Sequence, residues 1–126
     1  MMRLLLDTHI YLWWLQDSRK LSSNAKQKIA NATQVYVSSA SLWEAAIKIG
    51  LGKLHGNIDD LAEQIALSGF IELPIRVVHT AMLPHLPSIH HDPFDRMLIA
   101  QAICEPLRFV TADKLLKPYS DLVDLV

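Results

Sequence analysis

The sequence predicts an α/β fold, a three-layer α/β/α sandwich on a central, mostly parallel sheet of about five strands. Five short apolar segments predict the strands, at residues 4–6, 35–38, 70–73, 108–111 and 121–126. Segments with apolar residues at helical spacing separate them, and the most apolar of these begins at Pro93 and ends before Pro106. Because strands joined by helices pair in parallel through right-handed crossovers, their carboxyl ends should lie along one edge of the sheet.

Length and composition predict one globular domain over residues 1–126. The chain is 51% hydrophobic and 20% charged, which excludes a disordered protein and allows a substantial core. The longest apolar run, residues 10–15, is far shorter than the ~20 residues that span a bilayer, and no secretory signal is visible. The single cysteine, Cys104, lies in an apolar helical pattern typical of a reduced core thiol. We therefore expect a cytoplasmic protein that does not enter a membrane.

The charge balance gives no global signature of a nucleic-acid-binding protein, because the formal net charge is −1 at pH 7. A polyanionic substrate would have to be held by local basic groups or by bound cations. Arg96 and Lys48 are candidates for local positive charge, and the alternative for each is a solvated helix face.

The first strand ends abruptly in a carboxylate, Asp7. Thr8 is placed to cap the helix that follows at residues 9–15. Ligands in open α/β sheets bind beyond the carboxyl ends of the strands, so Asp7 is a candidate site residue. On this stretch alone, a turn or capping role for Asp7 is an equal alternative.

Glu44 interrupts a mostly apolar helix after the second strand, for which residues 39–41 offer an N-cap. A glutamate is seldom fully buried without a partner, so Glu44 is a second candidate site residue, with a solvated helix residue as the alternative. In the segment Asp92-Pro93-Phe94-Asp95, Pro93 suits the first helical position and Asp92 the N-cap. Asp95 then falls in the first helical turn, where the dipole favours an acid and a functional role remains open.

The fourth strand ends in Thr111-Ala112-Asp113, as the first strand ends in Asp7. In a doubly wound sheet these two strands would flank the point where strand order reverses and a crevice forms. Four carboxylates at one sheet edge would repel one another unless cations neutralise them, and oxygen-only ligands select Mg²⁺ or Mn²⁺. Such ions bind phosphates, which predicts a phosphoryl-transfer site. The four acids are Asp7, Glu44, Asp95 and Asp113.

These segments resemble those of a known family, the PIN domain, and in particular the VapC-like ribonuclease toxins of bacterial toxin–antitoxin pairs. The resemblance covers essentially the whole chain. It rests on LLLDTH at 4–9, SLWE at 41–44, HDPFDR and LIAQA at 91–102, and TAD at 111–113.

The resemblance implies a PIN-like fold and a metal-dependent endoribonuclease in which the four acids match the family's acidic quartet. Asp7 and Asp95 would bind Mg²⁺, or Mn²⁺, directly, with Glu44 and Asp113 as further ligands or anchors for water. Thr111, Thr8 and Arg96 would support the acids, and Asp92 fits a cap better than a ligand. Water rather than a 2′-hydroxyl would attack the RNA, leaving a 5′-phosphate and a 3′-hydroxyl. An antitoxin peptide or protein would be the partner.

The histidines invite a rival chemistry, since His85, His90 and His91 cluster beside Asp92. Imidazoles could act as acid and base, and a zinc site would need spaced nitrogen and sulfur ligands. The segment is rich in proline and has no cysteine, so we interpret them as exposed loop histidines.

The tryptophans allow base stacking, but the apolar helical surroundings of Trp13, Trp14 and Trp43 favour core or dimer contacts. The first predicted helix and the helix that contains Glu44 both have extensive apolar surface. This motivates two hypotheses, a homodimer and an antitoxin peptide laid over the cleft. Two other functional classes remain as alternatives. A receiver-like, magnesium-binding signalling domain would need adjacent acids after the first strand and a lysine after the last. A non-catalytic binding module would leave the acids as caps.

Overall fold

The computed structural model describes residues 2–126, and its central sheet has five strands. They are β1 (Arg3–Leu6), β2 (Gln34–Ser38), β3 (Ile71–Leu73), β4 (Arg108–Thr111) and β5 (Val123–Leu125). The strand order is β3-β2-β1-β4-β5, and all four pairings are parallel. The predicted α/β fold with a parallel five-stranded sheet is therefore confirmed. The last strand is shorter than the predicted 121–126, because residues 121 and 122 form a turn.

Six α-helices connect the strands. They are α1 (Thr8–Leu15), α2 (Ser23–Asn31), α3 (Ser39–Gly50), α4 (Ile58–Leu67), α5 (Val77–Met82) and α6 (Pro93–Cys104). Two 3-10 segments follow α5 and β4, at Leu83–His85 and Lys114–Tyr119. Across residues 2–126, none of the helices has the length and apolar character that a membrane crossing requires.

The leucines of β1 supply both layers of the core. Leu5 belongs to a cluster with Phe109 and the buried face of α6, whereas Leu4 and Leu6 pack with residues of α1 and α2. All three leucines are completely buried. This is the pattern of a parallel strand covered on both faces, because alternate side chains point to opposite sides of the sheet.

Two capping predictions are wrong. Asp7, not Thr8, is the N-cap of α1: its backbone is extended and its Oδ1 accepts a hydrogen bond from the Thr8 amide at 2.7 Å. Thr8 is the first helical residue, and its hydroxyl donates to Ser41 Oγ at 2.9 Å instead. The N-cap of α3 is Ser38, one residue before the predicted 39–41, because β2 passes into α3 without a linking residue.

The central position of β1 creates the crevice. The chain runs from β1 to β2 and β3 on one side of β1, and then crosses over to place β4 and β5 on the other side. The Asp7 amide donates to the Val110 carbonyl at 2.9 Å, which extends the β1–β4 pairing to the end of both strands. This is the point where strand order reverses, and ligands of open α/β sheets bind there.

Candidate active site

Asp7 occupies the centre of this crevice and is only 6% exposed. Its two carboxylate oxygens are held separately: Oδ1 by the Thr8 amide at 2.7 Å, and Oδ2 by the Thr111 hydroxyl, also at 2.7 Å. Burial raises the pKa of Asp7; the Thr111 hydrogen bond is the largest opposing influence, and the charge of Glu44 adds to the rise. The charge of His9 also lowers this pKa, so Asp7 is a buried carboxylate held by two hydrogen bonds with an imidazole nearby.

Asp95 lies in the first turn of α6, where its amide donates to Oδ1 of the N-cap Asp92 at 2.9 Å. The capping prediction for Asp92 is therefore confirmed. Burial raises the pKa of Asp95 to about 7, and the charges of Asp7, Asp92 and Glu44 contribute in the same direction. The structure therefore brings Asp95 into the electrostatic field of Asp7 and Glu44, as the sequence predicted.

Glu44 is a buried acid on α3. Its Oε2 accepts a hydrogen bond from Lys48 Nζ at 2.8 Å, one helical turn later. Its Oε1 is buried without a hydrogen-bond partner among the residues that the structure describes. An unsatisfied buried charged oxygen is costly, so this atom marks the place where a cation or its water would be accommodated.

Asp113 borders the same crevice through a small cleft of about 260 Å³. The cleft is lined by Asp7, His9, Trp13, Ala112 and Asp113. Thr111 connects the two acids, since its Oγ1 also accepts the Asp113 amide at 3.1 Å. A larger groove of about 530 Å³, beside Trp14 and the Asp17–Lys26 ion pair, contains none of the four acids.

Comparison with known proteins assigns the chain to a family. The model of the PIN domain matches residues 4–121. The chain belongs to the PIN domain family. It is 31% identical over 126 residues to Ribonuclease VapC22 of Mycobacterium tuberculosis (strain ATCC 25618 / H37Rv), a match that covers 94% of this chain and 93% of that protein.

Solved structures agree on the fold. VapBC2 from Rickettsia felis, bound to a DNA fragment from its promoter, aligns with a TM-score of 0.69 and 19% identity over 99% of this chain and 98% of that one. DNA-bound VapBC from Salmonella typhimurium aligns with a TM-score of 0.67 and 18% identity over 94% and 93% of the two chains. At these identities the alignments establish the PIN-like architecture and nothing finer.

The donor set of this PIN domain fits a hard divalent cation. Within residues 2–126, no three carboxylate, imidazole or thiol groups converge closely enough to chelate an ion by themselves. Mg²⁺ commonly binds one or two carboxylates and keeps several waters, so it does not need such a cage. The mutual repulsion of Asp7, Glu44 and Asp95 and the orphaned Oε1 of Glu44 both favour added positive charge.

Arg96 fastens the segment before His90 in this PIN domain. Its Nη1 donates to the Pro87 carbonyl at 2.8 Å and its Nη2 to the Leu83 carbonyl at 3.2 Å. Nη1 also donates to the Tyr119 hydroxyl at 3.2 Å. These acceptors are neutral and leave the guanidinium charge in place, so the role of Arg96 in supporting the acids and attracting phosphates stays a prediction. Lys48, by contrast, is paired with an acid, Glu44.

His90 is a functional candidate that sequence reasoning missed. His85 and His91 are exposed, as predicted, but His90 is half-buried between Asp95 and Tyr119. Its Nε2 lies 3.3 Å from Asp95 Oδ2 and its Nδ1 lies 2.7 Å from the Tyr119 hydroxyl. The only available signal was the five-residue spacing to Asp95, and the second contact spans 29 residues.

The structure separates two predictions of burial. Trp43 is 59% exposed, with its ring edge against Phe94 at a centroid distance of 4.9 Å, so it is not a core residue and only the dimer alternative stays a prediction. Its exposure arises because Glu44 and Ala45, the next residues of α3, take the buried face of that helix. Cys104 is half-buried at the end of α6, where Sγ contacts the Val78 carbonyl at 3.7 Å. Trp13 and Trp14 pack partly against the core, as predicted.

Proposed function

We propose that this chain is a metal-dependent endoribonuclease, the toxin of a toxin–antitoxin pair. One observation carries the proposal: three acids come close together from separate elements. The charges of Asp7 and Glu44 contribute to the raised pKa of Asp95, that of Glu44 contributes to the raised pKa of Asp7, and one buried oxygen of Glu44 has no hydrogen-bond partner among the described residues. A protein that only needed caps would gain nothing from this repulsion. The similarity to a ribonuclease across nearly the whole chain supports the same activity.

The four predicted acids would hold Mg²⁺ or Mn²⁺, with Asp7 and Asp95 as direct ligands and Glu44 and Asp113 as ligands or anchors for water. When bound, such an ion lowers the pKa of a coordinated water and offsets negative charge on the phosphoryl oxygens. The chain itself keeps the acids in place. Thr8 and Thr111 fix the two oxygens of Asp7, and Lys48 neutralises one oxygen of Glu44.

The cleft beside Asp7 would take one base of the RNA. His9 and Trp13, neighbouring rings on successive turns of α1 with centroids 6.1 Å apart, both line it, as does Asp113. Aromatic faces stack on bases without requiring a particular sequence. A phosphate next to this base would lie at the acids. Attack by water would yield a 5′-phosphate and a 3′-hydroxyl.

Two partners belong to the proposal. The similar folds in the two VapBC structures support an antitoxin partner for this chain. A homodimer is supported by an exposed apolar stripe along α3, formed by Trp43, Ile47 and the C-cap residue Leu51 at four-residue spacing. Both partners would be met in the cytoplasm. A receiver-like function has less support, because a single acid follows β1 and Val126 follows β5.

RNA cleavage by the purified chain tests the proposal. We expect cleavage of single-stranded RNA with Mg²⁺ or Mn²⁺, and loss of at least a hundredfold with EDTA, Asp7→Asn or Asp95→Asn. Asp121→Asn, which changes an exposed acid outside the crevice, is the matched control and should cleave normally. Cleavage that survives chelation, or that both crevice variants retain, would contradict the metal–carboxylate mechanism.

A further inference from the structure

We propose that Tyr119 and His90 are positioning residues that orient the Asp95 carboxylate through a hydrogen-bonded relay. The relay consists of Arg96, Tyr119, His90 and Asp95, in that order. The inference deepens the proposed function, on which the role of Asp95 as a ligand rests. Its first step, the protonation pattern of His90, can be tested without metal or RNA.

The hydrogen bonds of the Tyr119 hydroxyl fix its direction. The hydroxyl oxygen accepts from Arg96 Nη1 at 3.2 Å and from the His90 amide at 3.2 Å, and neither donor can act as an acceptor. The single hydroxyl proton must therefore point elsewhere. The His90 Nδ1 at 2.7 Å is much closer than the His90 carbonyl at 3.4 Å, so Tyr119 donates to Nδ1.

This direction decides the tautomer of His90. A neutral imidazole has one N–H and one acceptor nitrogen, and accepting at Nδ1 places the proton on Nε2. Nε2 then donates to Asp95 Oδ2, 3.3 Å away. Without Tyr119, the Asp95 carboxylate would still favour the Nε2–H form, but Nδ1 would lose the hydrogen bond that holds the ring in place.

The relay is held rigidly around Tyr119, which is buried at the end of the 3-10 helix Lys114–Tyr119. The His90 and Tyr119 rings are in contact, with centroids 5.4 Å apart. The Arg96 guanidinium lies 6.0 Å from the centre of the Tyr119 ring while it also binds the Leu83 and Pro87 carbonyls. The chain before His90 is thereby fixed to α6, and the chain after it continues directly into that helix at Pro93.

The relay has the form of an outer-shell interaction at a metal site. Hydrogen bonds to ligating carboxylates and imidazoles orient the ligand, and their loss typically weakens metal binding by about 10–100-fold. Asp95 has one such partner in His90, as Asp7 has Thr111. A purely structural role of Tyr119, closing residues 83–92 onto α6, is the competing explanation.

Tyr119→Phe separates the two explanations, because it removes the hydroxyl and keeps the ring. Tyr36→Phe is the matched control, since it removes a hydroxyl that binds Arg3 and Gln34 outside the crevice. Nitrogen-15 correlation spectra of the metal-free protein at pH 8 should show the Nε2–H tautomer of His90 in the wild type and in Tyr36→Phe. In Tyr119→Phe the Nδ1 signal should shift because its hydrogen bond is lost, and Mn²⁺ binding by calorimetry should weaken about tenfold.

A second pair of variants covers the case in which Tyr119→Phe folds poorly. His90→Gln keeps an amide donor where Nε2 stands, whereas His90→Ala keeps none. Glutamine should therefore retain most of the Mn²⁺ affinity and alanine should lose about tenfold.

Three results would overturn the relay: an Nδ1–H or doubly protonated His90 in the wild type, unchanged Mn²⁺ affinity in Tyr119→Phe, or equal affinities for the two His90 variants. A wild-type protein that binds Mn²⁺ through the relay but cleaves no RNA would instead contradict the proposed function alone.

Discussion

The Thr111 hydroxyl and the Asp7 carboxylate are joined by a hydrogen bond of 2.7 Å, although 104 residues separate them in sequence. The bond is buried and connects the ends of the two central strands, β1 and β4. Because the same hydroxyl accepts the Asp113 amide, one side chain organises two of the four acids. The sequence suggested Thr111 only as a supporting polar residue near Asp113, whereas the structure shows that it binds both Asp7 and Asp113.

Thr111→Val should destabilise the protein by about 1–2 kcal/mol, because it leaves Asp7 Oδ2 and the Asp113 amide without their partner. The pKa of Asp7 should rise further, since the Thr111 hydrogen bond lowers it. Urea unfolding measures the first effect. Thr111→Ser keeps the hydroxyl and should recover most of the loss; a Thr111→Val variant as stable as the wild type would contradict a stabilising role of the hydrogen bond.

Asp95→Asn should stabilise the metal-free protein at pH 8 by about 1 kcal/mol, while abolishing cleavage. The pKa of Asp95 is raised from 3.8 to about 7, so the folded protein binds this proton more tightly than the unfolded chain. The free energy of unfolding therefore falls as the pH rises from 3.8 through 7. Above pH 7, the ionised Asp95 destabilises the folded protein to its full extent. Solvent screening at this partly exposed carboxyl keeps the effect small.

The stabilising effect of Asp95→Asn should consequently shrink as the pH is lowered toward 4. Denaturation in EDTA at pH 4.5 and pH 8 checks this, with the exposed Asp121→Asn as the control that should show no such pH dependence. A variant less stable than the wild type at pH 8 would contradict the inferred repulsion among the acids.

Trp13→Leu should raise KM for RNA about tenfold and leave kcat within a factor of two. The indole lines the cleft beside Asp7 but is not one of the acids, and stacking of a base is worth about 1–3 kcal/mol. Trp14→Leu is matched in chemistry and also lies on α1, but it lines the groove away from the acids and should change KM little. Equal effects of the two variants would remove the base-stacking role of the cleft.

Ile47→Glu should convert a dimer into a monomer, as measured by light scattering at micromolar concentration. Ile47 is the middle residue of the α3 stripe, so a charge there would be buried without a partner in a dimer interface. Leu67→Glu is the control, because Leu67, like Ile47, has an exposed aliphatic side chain, but it lies on α4. A wild type that remains monomeric would contradict the proposed use of this stripe.

The fold was predictable because its signals are local or periodic. The strand over residues 108–111 has the predicted bounds, and Pro93 with Asp92 begins α6 as the sequence indicated. The three leucines of β1 are as buried as an uninterrupted apolar strand implies. Each of these features depends on neighbours within a few residues and on the general rules of parallel sheets.

The site was predictable only in outline. The ends of β1 and β4 had to meet, so the proximity of Asp7 and Asp113 followed from topology. The roles of Arg96 and His90 did not, because both depend on Tyr119, which lies 23 and 29 residues further along the chain. Hydrogen-bond direction at such distances depends on side-chain placement that no sequence period encodes. The choice between Asp7 and Thr8 as N-cap failed for a different reason: the contact joins adjacent residues, and both residue types commonly cap helices.

The position of β1 between β2 and β4 also governs when the crevice is completed during translation. Asp7 and Glu44 leave the ribosome before Val110 and Thr111, which hold Asp7 from the other side. A nascent chain that lacks β4 leaves one edge of β1 unpaired and the acids unassembled. The crevice of the proposed nuclease is therefore completed only after β4 has been made, and a shorter growing polypeptide is unable to attack the message that encodes it.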